Sequence, residues 1–268
     1  MKRVLFIFAI WGLTAAVAFG QISRENREVS EFTRIAASSV FNITVHRGDV
    51  HSLVIEADAV VMPYVRSVVY GNHLLLSIDG RFGDRYVGTL NATIVMPNLE
   101  RVNLSGTSRL TAVDLFTPDN FEFTGNGSNS LSVNLNTNSL LINVGGAGNI
   151  EINANVSRAA FFIVNGAGNI SGNLVTDRVT FDYQGVGNVT LTGSATQGTI
   201  NAAGVPTMNL VDFPIREATV NAPGVANITV NATHSLRINA SGVSTVRYTG
   251  TATVLERNVS RVSNVSRL

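Results

Sequence analysis

The residues 142–154 read INVGGAGNIEINA, and twenty positions on, at 162–174, the chain reads FIVNGAGNISGNL. A third copy, FDYQGVGNVTLTG, follows at 181–193. Aligned on the fifth letter, a glycine recurs at Gly106, Gly127, Gly146, Gly166, Gly185, Gly204, Gly224 and Gly242, in steps of 18 to 21 residues. Four residues before each glycine stand Val102, Phe123, Ile142, Phe162, Phe181, Ile200, Val220 and Ile238. Four residues after it stand Leu110, Leu131, Ile150, Ile170, Val189, Met208, Ile228 and Val246. The positions two before and six after are apolar as well, with Gly125 and Gly172 as exceptions. Asn, Ser and Thr fill the places between.

Period-two alternation on both sides of a turn predicts two short strands per unit. Their successive side chains point to opposite faces. Helix is a poor reading, because the apolar spacing is 2 and Asn, Gly and Thr are frequent. A repeat of about 20 residues with one turn per copy is the signature of a solenoid. The expected fold is therefore all-β: a right-handed parallel β-helix of about 19–20 residues per coil, right-handed because parallel crossovers nearly always are. A β-propeller is the main rival, but its blades need about 40 residues each. The corner glycines are expected to adopt positive φ.

Outward from the repeats, residues 1–20 have a basic start, Lys2 and Arg3, and an apolar run from Val4 to Phe19. That is the pattern of a secretory signal peptide, cut before Gln21 or after Ala18. A permanent anchor is the alternative, but the run is short for a membrane span of about 20 residues. Residues 21–28 are polar and expected to be a flexible leader. Residues 29–268 are expected to form one solenoid domain: irregular coils and an N-terminal cap over 29–100, regular repeats over 101–250, and a cap or tail over 251–268. Within the first part, strands are predicted at 41–45, 53–56, 73–78 and 90–95, with a helical turn near Pro63.

Composition narrows the chemistry. No cysteine is present, so neither disulfides nor a cysteine-linked lipid holds the chain. Lys2 is the only lysine, and no basic patch of the nucleic-acid-binding kind appears. His46, Asp49 and His51 share one turn, HRGDVH, but a metal site needs a further ligand. Calcium-binding β-helix repeats need an Asp in each turn, where this chain has Asn, Thr or Ser. No metal and no cofactor are expected. Glycosidic hydrolysis needs two facing carboxyl groups, and Asp177, Asp182, Asp212 and Glu217 are candidates by location only. Asp212 and Glu217 are expected in an outer loop.

The opening VFNITVHRGDVHSLVIEAD, then GNHLLLSI, the bridge MPNLERVNLSGTSRL and the GAGNI-like corners together resemble the putative auto-transporter adhesin head GIN domain family. The resemblance runs from about Phe32 to the C-terminus. It implies a β-helical fold and an adhesion or envelope role. The family pattern often carries Asp where this chain has Asn149 and Asn169. The corner asparagines Asn149, Asn169, Asn188 and Asn227 stack at positions where an amide ladder along the rod is open to them; they are read first as satisfying turn backbone, with a polar ligand stripe as the alternative. Asn143, Asn201, Asn221 and Asn239, each three before a corner glycine, are the candidate binding stripe for a glycan, matrix or envelope protein. A self-associating structural solenoid, and a carbohydrate-active enzyme, are the alternatives. The expected location is the periplasm, the outer-membrane surface or the medium, with no membrane span in the mature chain.

Overall fold

Alternation drives one side of each strand inward and leaves the backbone to pair with the neighbouring coil. The computed structural model describes residues 21–80, 88, 90–260 and 262–268, so the expected signal peptide lies outside the described residues. The chain is nearly all β and forms a parallel β-solenoid of about nine turns. Its regular part comprises β8 (Arg101–Gly106), β9 (Arg109–Phe116), β10 (Asn120–Val144), β11 (Ala147–Val164), β12 (Ala167–Tyr183), β13 (Val186–Ala202), β14 (Val205–Asn221), β15 (Asn227–Ala240), β16 (Thr245–Thr249), β17 (Thr253–Val259) and β18 (Asn264–Arg267).

Two parallel ladders run the length of the stack. In the post-glycine ladder, Leu110, Leu131, Ile150, Ile170, Val189, Met208, Ile228, Val246 and Val265 lie in one column. In the pre-glycine ladder, Ile142, Phe162, Phe181, Ile200, Val220 and Ile238 do the same. All sixteen positions flanking the glycines by four are no more than 1% exposed. Phe162 and Phe181 stack with ring centroids 5.0 Å apart. Stacking like on like fills the core with matched volumes, the condition for interior packing density.

Two expectations change in detail. From β10 to β15 a coil is not two short strands but one long strand that bends through the corner opposite the glycines, whereas β8 with β9 and β16 with β17 remain short pairs. Pairing continues through that bend, with register shifts at Thr137/Ser139 and Val156/Ala159. The buried Thr137 hydroxyl holds the bend, donating to the carbonyls of Asp119 (3.0 Å) and Ser139 (3.2 Å). The corner glycines also have a different cause. Only Gly106 and Gly127 adopt positive φ, at 77° and 128°. The others are glycine because a Cβ would overlap the backbone of the coil before: on Gly185 it would collide with the carbonyl oxygen of Gly166, and on Gly204 with that of Gly185. Close backbone approach, not left-handed geometry, requires them.

The N-terminal part reverses direction. β1 (Ile22–Arg27) runs antiparallel to β4 (Ser52–Asp58), and β4 antiparallel to β7 (Leu90–Met96). β5 (Val65–Tyr70) runs antiparallel to β6 (His73–Ile78). β2 (Arg34–Ala37) and β3 (Asn42–Arg47) pair in parallel with β8 and β9, joining this part to the coils. The predicted strands at 41–45, 53–56, 73–78 and 90–95 correspond to β3, β4, β6 and β7, and a 3-10 turn spans Met62–Tyr64 around Pro63.

Most of the leader over 21–28 is a strand. Its residues 22–27 are β1, which satisfies the free edge of β4. It shows no apolar alternation because one edge and most of its side chains face solvent. At the far end, Arg257 takes the register position that Ile238 holds in the preceding coil. Its guanidinium donates to the Val265 carbonyl at 2.7 Å, tying the two ladders together across the open mouth of the core.

Candidate binding surface

The outward positions of a parallel, in-register stack form columns, with neighbours about 4.8 Å apart. Like charges in such a column repel, whereas amides and hydroxyls can bond to their own kind. The outer columns are accordingly rich in Asn, Ser and Thr. On the pre-glycine ladder, Asn221 donates to Asn201 (2.9 Å), Asn239 to Asn221 (3.2 Å) and Asn258 to Asn239 (2.8 Å). The ladder thus contains Asn201, Asn221 and Asn239, and gains Asn258 from the stretch expected to be cap or tail. The missed signal was spacing: Asn258 follows Asn239 by nearly one coil.

Asn143 stands apart. Its column continues through Ile163 and Asp182 before reaching Asn201, so no amide reaches it from the ladder. The corner asparagines form the amide ladder over Asn149, Asn169 and Asn188 rather than serving the turn backbone. Asn169 donates to Asn149 (3.0 Å) and Asn188 to Asn169 (3.0 Å), all exposed on strands after the corner. Only the backbone N–H of Asn188, donating to the Asn169 side chain at 3.1 Å, matches backbone satisfaction. Thr207 interrupts this run, and Asn227 instead accepts from Arg247 at 3.3 Å.

The HRGDVH turn does not converge. His46 faces Asp114 at 3.6 Å, whereas the His51 ring lies 2.8 Å from the Phe32 carbonyl and 4.9 Å from the Phe32 ring. No group of three or more metal-ligating side chains occurs among the described residues. The carboxylates do not form a facing pair: Asp177 and Asp182 lie on β12, Asp212 and Glu217 on β14, with β13 between them. The expected outer loop around Asp212 is instead a bulged strand whose Phe213 is fully buried.

A shallow groove of about 440 Å³ opens on the post-glycine ladder. Its floor is Ser130 and Ser132, set between Arg109 and Thr111 on one side and Asn149 and Glu151 on the other. The depression arises because both outward residues of that coil are serines between bulkier neighbours.

The sequence matches the family model described as putative auto-transporter adhesin, head GIN domain, over residues 31–173 and again over 160–252. The chain belongs to this family. Solved structures with the same fold include a putative adhesin from Parabacteroides merdae, at 17% identity and a TM-score of 0.64, with 93% of this chain and 97% of that one covered. A second, named a putative lipid binding protein from Parabacteroides distasonis, has 17% identity, a TM-score of 0.69 and coverage of 93% and 98%. A putative adhesin from Parabacteroides distasonis has 18% identity, a TM-score of 0.66 and the same coverage. No curated protein matches the sequence. Among the described residues, no helix of this head GIN domain chain is long and apolar enough to cross a membrane.

Proposed function

We propose that the protein is a non-catalytic, exported, adhesin-like module that holds an extended polar partner, a glycan in the first instance, along the flank of its solenoid. The observation that carries this is the asparagine ladder Asn201–Asn221–Asn239–Asn258. An amide has two donors and two acceptor lone pairs. An inner rung uses one donor and one acceptor on its neighbours, so each keeps one of both for a partner. These spare groups repeat at the strand spacing, and many weak contacts then add along a partner of similar period. No nucleophile or facing carboxylate pair lies on that strip, so binding occurs without turnover. Family membership supports the adhesin-like part of the reading.

Replacing Asn201, Asn221 and Asn239 together with Thr keeps strand propensity and polarity but removes the amides. Capture on immobilised glycans, matrix proteins and isolated envelopes should fall while the circular dichroism spectrum is kept. Unchanged capture by a folded variant would refute the ladder's role. Self-association is the second reading, favoured by the outer edges of β17 and β18, each of which pairs with only one strand. It requires particle size to rise with concentration in the isolated protein.

A further inference from the structure

The groove on the post-glycine ladder has a charge pattern that the asparagine ladder lacks. Arg109 is exposed, and its guanidinium has no hydrogen-bond or ion-pair partner among the described residues. Two coils along, Glu151 is exposed and accepts only from the Ser132 hydroxyl, at 3.3 Å. The columns Arg109–Ser130–Asn149–Asn169 and Thr111–Ser132–Glu151–Ser171 run side by side. Arg109 and Glu151 are therefore offset by two strand spacings along the stack and by two residues along the strand, a diagonal of about 12 Å, with small hydroxyl and amide side chains between them.

We infer that this groove binds a glycan in which acidic sugars alternate with neutral ones. A free guanidinium presents parallel N–H donors that match a carboxylate in bidentate fashion. Glu151 accepts hydrogen bonds but cannot donate any while ionised. It suits the hydroxyl donors of a neutral sugar and repels a second carboxylate. A uniformly anionic chain would set charge against Glu151, and a neutral chain would leave Arg109 unused. An acidic peptide offers carboxylates but few hydroxyls for Glu151, Asn149 and Asn169. The strand backbone at the groove is already paired on both sides, so it has no edge for a peptide to extend. The inference rests on the adhesin-like reading but not on the asparagine ladder, which lies on the other ladder of the coil.

The test uses the protein from Gln21 onward and three probes in calorimetric or NMR titration: hyaluronan oligosaccharides, neutral chitin oligosaccharides and oligogalacturonate. The alternating probe should bind most tightly, and added salt should weaken it. Arg109→Gln should weaken it on the order of tenfold, the value of one charge-assisted bidentate contact. Arg237→Gln, an exposed arginine on the pre-glycine ladder, should leave it unchanged. Equal affinity for the neutral probe, tighter binding of oligogalacturonate, unaltered binding by Arg109→Gln, or no binding of the alternating probe would each overturn the inference. The triple asparagine variant separates the two ideas. If it loses envelope or matrix capture but keeps hyaluronan binding, the ladder and the groove are distinct sites. If wild-type protein captures envelopes yet ignores hyaluronan, only the groove assignment fails.

Discussion

The N-terminal strands and the regular coils solve the same problem, joining strand to strand, with different chemistry. Every ion pair among the described residues lies between Arg24 and Glu122, including Arg24–Glu56, Arg34–Glu100 and Arg66–Asp79. Past that point the side-chain links between coils run mostly through Asn, Ser and Thr, as at Asn153–Asn134, Ser157–Asn138 and Asn173–Thr192. The direction of the chain accounts for part of the contrast, since Arg101–Glu122 pairs across the parallel strands β8 and β10 where unlike residues happen to share a register position. In the parallel coils, corresponding residues stack on one another, so a charged column would repel itself. In the antiparallel strands β1, β4 and β5, unlike residues meet, and opposite charges can be placed face to face. The reversal also ends the repeat at the N-terminal side, where another coil would otherwise add to the edge.

The largest expected effect comes from cutting the repeat out of phase. Deleting residues 166–184 removes one coil and leaves both ladders matched, so the solenoid should persist with cooperative unfolding. Deleting only 166–175 removes half a coil and delivers the following segment to the wrong ladder. That variant should lose its β-sheet circular dichroism and become protease-sensitive. Equal damage from both deletions would remove the distinction between a modular repeat and an integral cap. In the cap, deleting 22–27 should bare the β4 edge, and light scattering should then show association.

A smaller contrast lies in the glycines. Gly185→Ala drives a methyl group into the backbone of the preceding coil and should cost about 3 kcal/mol, the upper end for overpacking. Gly71, in the hairpin between β5 and β6, has open space around it and φ of 58°. Gly71→Ala should cost only about 1 kcal/mol, for the left-handed backbone. Urea unfolding measures both, and equal losses would contradict the close-approach account of the corner.

The smallest effects are in pH dependence, and they have opposite signs. In the coils, burial pushes the Tyr183 phenol up from its ordinary value, and its hydroxyl donates to the Gly168 carbonyl. The stability this contributes is complete below the unfolded phenol's pKa and is lost as pH rises toward the folded one. Tyr183→Phe should remove that alkaline loss and cost on the order of 1 kcal/mol at neutral pH, by orphaning the carbonyl. At the cap, the hydrogen bond from Arg66, the Gly80 backbone N–H and the Arg66 charge hold the Asp79 carboxyl below its usual range. That contribution is present above the unfolded carboxyl's pKa and is lost as pH falls through the lowered value. NMR titration should show the Asp79 midpoint rising in Arg66→Gln, and an unmoved midpoint would contradict the pairing.

Much of this architecture is legible in the residues because inward burial is a local property of a strand. Alternation around Gly106 to Gly242 marks the core columns, and the spacing of those glycines marks the coil length. The cap was less legible: β1 carries no apolar stripe, because its place depends on the open edge of β4 and not on a face of its own.

What the sequence determined by itself is the period, the inward residues, the family and the absence of cysteine. Tertiary structure alone decided which outward residues meet. It separated Asn143 from the ladder, since a column is broken by whatever the intervening coils carry. It set unpaired Arg109 two coils from Glu151 over a serine floor. It also made the corner glycines a matter of backbone contact between coils. Each of these depends on the neighbour above or below in the stack, about twenty residues away along the chain, and no local pattern records that neighbour.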